Sequence, residues 1–237
     1  MLNDNLHLIV MIAAVGLVAL VLSYVITTKE QNDKAKDTRL KWLKEQTSHT
    51  LNALILLKQA DCKSEITEKL HQHGMSLVEE ITLLAPDSEL MQEANQLKER
   101  ADRAMPDMNT FHSDRAIKKA QIYINFAEKL VIQMAKGGKI TSQLAGNYQQ
   151  ELYWLSTSIV ADAHMSQGKT AKEAGDLPKA LSHLKHAKAV LIGAMVNQQK
   201  KKVKLDIVQA MLDEIQPKRP KSVGTLADSL DDFLKKS

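Results

Sequence analysis

The chain has 237 residues, 44% hydrophobic and 25% charged, with 32 Lys+Arg against 28 Asp+Glu and a formal net charge of +4. These values exclude disordered and collagen-like classes, and the single cysteine, Cys62, excludes an internal disulfide framework or a multi-cysteine zinc site. Aromatics at 4%, with nine Gly and five Pro in a chain rich in Ala, Leu, Lys, Gln and Glu, point to an all-α protein.

Residues 1–7 form a short N-terminus without Lys or Arg, followed by an apolar run from Leu8 to Ile26. No charged side chain occurs from Asn5 to Thr28. Nineteen helical residues cover ~29 Å, close to the hydrocarbon thickness of about 30 Å, and a lone segment crosses only as a helix. A transmembrane helix is therefore expected over 8–28. A cleaved signal peptide would need a basic start and a small-x-small cleavage site, neither of which is present. Lys29, Lys34, Lys36, Arg39, Lys41 and Lys44 follow the span, so the positive-inside rule places the C-terminal region in the cytoplasm of a single-pass cell (inner) membrane protein. Ala19 and Ser23 make a small-xxx-small pair that leaves homo-oligomerisation open, although such pairs arise by chance in Ala-rich helices.

Beyond the span, Leu40, Leu43, Thr47, Thr50, Leu54 and Leu57 form an apolar stripe at alternating three and four spacing. With no Pro or Gly before Asp61, residues 29–60 read as a helical stalk continuous with the span, and 61–216 as the helical domain. A second helix covers Ile66 to Leu84, weakened by Gly74 and closed by Ala85-Pro86-Asp87. Leu90, Ala94, Leu97, Ala101 and Ala104 line a third, ended by Pro106. Ser113 caps a fourth, with a stripe from Ile117 to Met134 and a stop at Gly137-Gly138. A fifth starts near Ile140, carries Leu144, Tyr148, Leu152, Leu155 and Ile159, and runs toward Gly175; a sixth opens at Pro178. Short connections imply a bundle or stacked helical hairpins.

Within this array Gly168, the Gly175-Asp176 turn, and Ala180, Leu184 and Ala187 form a pattern over Ala161 to Ile192 that resembles a tetratricopeptide repeat. His164, Gln167 and Ala171 stand where that family favours Trp, Leu and Tyr, and Ile192 stands in place of its closing Pro. The resemblance covers about one repeat and implies a tight helical hairpin with, at most, a peptide groove.

Ala163 to Thr170 fits a relaxed phosphate-loop pattern, but it lies inside a predicted helix with no buried strand before it, which excludes ATP or GTP. His71-x-His73, Glu68-x-x-His71 and His183-x-x-His186 are incomplete as metal motifs and read as surface histidines. Cys62 lacks a Cys-His-Asn context. No nucleophile with a base, carboxylate pair or metal constellation survives these spacings, so neither an enzyme nor a resident cofactor is expected.

Lys179, Lys185, Lys188, Lys200, Lys201, Lys202 and Lys204 accumulate where no acidic residue occurs between Asp176 and Asp206. Such a surface would bind an anion, the lipid leaflet first with nucleic acid the weaker alternative because base-reading aromatics are missing, or stand simply as a solvated helix face. The last segment, 217–237, is a basic linker followed by an amphipathic stretch whose Leu226, Leu230, Phe233 and Leu234 share one face. That face suits docking into a partner's groove or back onto the parent bundle. The expected function is that of a membrane-anchored scaffold acting through protein contacts at the cytoplasmic face.

Overall fold

The computed structural model describes residues 2–216; the side chains of residues 2–10, 12–16, 18, 19, 21, 108 and 109 are outside the described set. The described residues form seven α-helices and one short 3₁₀ helix: α1 (Leu2–Gln59), α2 (Ser64–Leu84), α3 (Glu89–Arg103), the 3₁₀ turn (Met108–Phe111), α4 (Asp114–Lys136), α5 (Ser142–Glu173), α6 (Leu177–Gly193) and α7 (Gln198–Ile215). The all-α expectation holds. The linker and amphipathic segment of 217–237, with Leu226, Leu230, Phe233 and Leu234, lie outside the described residues.

Two compact units emerge, one holding Met1–Lys58 with Lys63–Met105, the other Gln59–Cys62 with Pro106 onward. In the first unit the predicted stripe of α1 is a core face: Leu43, Thr47, Thr50, Leu54 and Leu57 are buried and Leu40 is half-buried. The C-terminal part of the expected stalk is therefore packed against α2 and α3. Arg39 pairs with Glu80 of α2 at 2.6 Å, Lys44 with Glu93 of α3 at 2.8 Å, and Lys58 Nζ donates to the Ala101 carbonyl of α3 at 2.7 Å. Gly74 is less a weakness than a contact point, because a Cβ there would stand 3.0 Å from Leu51 Cδ2. Removing the side chain lets α1 and α2 approach.

From residue 22 to 39 every residue of α1 is exposed. Leu20 is 70%, Leu22 57%, Val25 55% and Ile26 57% accessible. Among the described residues no helix is long and apolar enough to cross a membrane. Most side chains of the apolar run at 8–21 are outside that set.

In the second unit, side-chain caps set the helix starts that short polar residues signal. Ser113 accepts from Ala116 N, Thr141 from Leu144 N, Asp176 from Lys179 N and Asn197 from Gln199 N. Gly175 takes a φ of +80° and reverses the chain between α5 and α6. Beneath that turn Gly168 faces Leu184, and a Cβ on it would lie 2.9 Å from Leu184 Cγ. A core of Ala161, Leu184, Ala187, Leu191, Val208 and Leu212 joins α5, α6 and α7, with Trp154 and Met165 packed on its margin. The tight hairpin implied by the Gly168 and Gly175 pattern is present. However, α5 alone runs for 32 residues, about the length of a whole tetratricopeptide repeat of two helices.

Candidate functional site

The lysine-rich face changes character once α7 is placed beside α5. Lys200 pairs with Glu151 at 2.8 Å, Lys204 reaches both carboxylate oxygens of Asp162 at 2.5 and 2.6 Å, and Lys188 donates to Gln209 Oε1 at 2.6 Å. Because Glu151 and Asp162 pair with Lys200 and Lys204 in the same chain order, α5 and α7 run parallel, with α6 returning between their ends. Partly exposed pairs of this kind contribute little to stability, about 0–1 kcal/mol each. Their effect is to fix register and neutralise charge.

Lys201 has a different role. It is buried, 6% accessible, and its Nζ donates to the carbonyl oxygens of Ile192 and Ala194, both at 3.1 Å. The last carbonyls of a helix have no partner within it, and an ammonium group directed at them also meets the negative end of the helix dipole. Lys201 therefore closes the C-terminal end of α6. Of the seven sequence-predicted anion-binding residues, Lys179, Lys185, Lys200 and Lys202 are exposed, Lys200 in a pair with Glu151, while Lys188 and Lys204 are half-buried and Lys201 is buried, all three hydrogen-bonded within the unit.

The structure also brings together a group that spacing alone did not reveal. His164 of α5 meets both His183 and His186 of α6. Its Nδ1 lies 3.3 Å from His183 Nδ1 with the rings stacked, and its ring stands edge-on to His186 at 4.3 Å between centroids. Burial, then the neighbouring His186 and His183, hold the His164 imidazole below the usual histidine pKa, against the opposing influence of Gln167 and Asp114. Gln167 donates from Nε2 to the His112 carbonyl at 2.9 Å, and its Oε1 is buried without a hydrogen-bond partner among the described residues. Beside the cluster lies an open cavity of about 840 Å³, bordered by Asp114 at the start of α4, Gln167, Glu173, Lys179 and His183.

Reading His183 and His186 only as an incomplete motif missed their third member. The signal was available in the hairpin: His164 and His186 stand about equally far from the Gly175 turn, so folding the chain back there brings them opposite each other. Elsewhere, His71 Nε2 lies 3.2 Å from Asp102, and Cys62 is half-buried. Comparison with protein families, with curated proteins and with solved structures found no match.

Proposed function

We propose that this protein is a single-pass membrane-anchored scaffold whose helical units act through protein contacts at the cytoplasmic face. The observation that carries the reading is the predominantly apolar run from Leu8 to Ile26, without Lys, Arg, Asp or Glu from Asn5 to Thr28, within one unbroken helix that continues into a bundle core. A helix apolar all round needs either a protein interior or a bilayer. The hydroxyls of Thr27 and Thr28 bond back to the carbonyls of Ser23 and Tyr24 at 2.8 Å each, which satisfies them at the end of a lipid-exposed segment. The six basic residues from Lys29 to Lys44 favour a cytoplasmic C-terminal region.

The amphipathic face of Leu226, Leu230, Phe233 and Leu234 is the proposed partner-docking element, tethered by the basic linker after Gln216. An anion-binding role is the weaker reading, since of the predicted set Lys201 is buried, Lys188 and Lys204 are half-buried and hydrogen-bonded, and exposed Lys200 is paired with Glu151, which leaves Lys179, Lys185 and Lys202 as the exposed members outside these contacts. A tetratricopeptide-type groove has only the α5–α6 hairpin in its favour.

Reporter fusions after Ser237 test the topology. A reporter active only in the cytoplasm should work and one active only outside it should fail; the reverse pattern overturns the reading. Crosslinking in intact membranes followed by purification should then recover a protein partner from the full chain and lose it on removal of 222–237. Nucleic acid as the recovered species would favour the anion-binding alternative.

A further inference from the structure

The three histidines at the α5–α6 hairpin have a geometry that packing alone does not explain. Between two stacked imidazoles, one Nδ1 must carry a proton for the 3.3 Å contact to be attractive, and that distance is at the outer edge of a good hydrogen bond. A tetrahedral ion held at ~2.0–2.1 Å by two nitrogens separates them by about 3.3 Å, the spacing found here. Imidazole nitrogen is a ligand that zinc, nickel and copper accept.

His186 lies one helical turn beyond His183, on the same side of α6, and is exposed. Its ring therefore has room to turn toward a shared ion. Ligating histidines are usually steadied by an acceptor at the other ring nitrogen, and Gln167, with its buried Oε1, stands three residues beyond His164 on the same helix. The neighbouring cavity, bordered by His183, offers an entry path.

We propose that His164, His183 and His186 bind one borderline divalent transition-metal ion, Zn²⁺ or Ni²⁺, with water in the remaining position. As placed, no three His, Cys, Asp or Glu side chains among the described residues already converge as an ion cage. The two Nδ1 atoms already stand at the required separation, and the third nitrogen would arrive by rotation of the His186 side chain. The ion would tie α5 to α6 across the Gly175 turn. This site is independent of the scaffold reading.

The test uses the full chain in detergent, stripped with a chelator and titrated with Zn²⁺ against a chromophoric competitor at pH 7.5. One site per chain is expected, weakened at least tenfold in His164→Gln and in His183→Gln. The double variant His71→Gln/His73→Gln, which removes the histidines of α2, should bind like the wild type. Zinc should also raise the wild-type thermal midpoint and not that of His164→Gln. Equal zinc affinity in wild type and His164→Gln, or no uptake by the wild type, overturns the proposal. Should the variants fail to fold, X-ray absorption of the wild-type zinc complex decides. Two or three imidazole ligands support the site, and one or none overturns it.

Discussion

Gly168 and Gly146 occupy the same helix, α5, yet an added methyl group should have opposite effects at the two positions. At Gly146 a Cβ meets nothing within 4 Å, so Gly146→Ala should raise stability by about 0.5–1 kcal/mol through helix propensity alone. At Gly168 the same atom meets Leu184 Cγ at 2.9 Å, Leu184 Cδ2 at 3.0 Å and the Ala180 carbonyl oxygen at 3.3 Å. Leu184 is 1% accessible and sits in the core cluster with Ala161, Ala187 and Leu191. Overpacking of this kind costs about 1–3 kcal/mol, more than the propensity gain, so Gly168→Ala should lower stability, and Gly168→Val should lower it further. Urea denaturation of the three variants checks the order. The charge of His164 gives a second prediction at this scale. Its folded pKa lies below the unfolded value, so the unfolded chain binds the proton more readily, and the stabilisation it contributes is complete above about pH 6.5 and lost as pH falls through the folded pKa. With chelator present, the thermal midpoint should therefore fall on acidification from pH 7.5 and fall less steeply in His164→Gln. Equal slopes in the two proteins would remove His164 as the cause.

At the scale of helices, α7 shows how neighbours in the chain and neighbours in space part company. The buried ammonium of Lys201 serves two carbonyls at the end of α6, so Lys201→Ala should cost about 1–3 kcal/mol by leaving them without a donor. The adjacent exposed Lys202→Ala should stay within about 0.5 kcal/mol of wild type. Thermal denaturation of the two variants separates a structural lysine from a solvated one. It follows that replacing Lys200, Lys201, Lys202 and Lys204 together by Gln would disturb folding as well as charge, contrary to what a purely surface patch implies. The stripes from Leu43 to Leu57 and from Ile117 to Met134 were legible because a spacing of three and four reports that one helix face is buried. Periodicity does not report what the face is buried against, so the lower part of α1 read as a stalk although α2 and α3 cover it. Counting charge along 176–206 showed an unopposed basic run, because Glu151 and Asp162 belong to α5 and only folding sets them beside α7. The cap at Ser113 and the turn at Gly175 were legible because their chemistry is local, unlike the meeting of His164 with His183 and His186.

On the scale of the whole molecule, the scaffold reading predicts that removing residues 1–28 releases the protein from carbonate-washed membranes into the soluble fraction, with the melting of the helical units unchanged. Retention in the pellet would sink the anchor. Removing 222–237 should likewise leave the thermal midpoint within error if that segment serves a partner, whereas a fall of many degrees would place it in the core. One further consequence comes from the stretch of α1 between Thr28 and Arg39, exposed on every side before the first contact with α2. Eleven helical residues rise ~16 Å, so on the proposed anchor, with the helix near the membrane normal, the bundle stands off the headgroups by that distance. The screening length at physiological ionic strength is ~8 Å, half of it, so the charges at Arg39, Glu80, Lys44 and Glu93 are largely hidden from the leaflet while Lys29, one residue past Thr28, is not. The gap also matches the thickness of one further helix, ~10–12 Å with its side chains, so a partner's helix lying along the membrane surface could pass beneath the bundle.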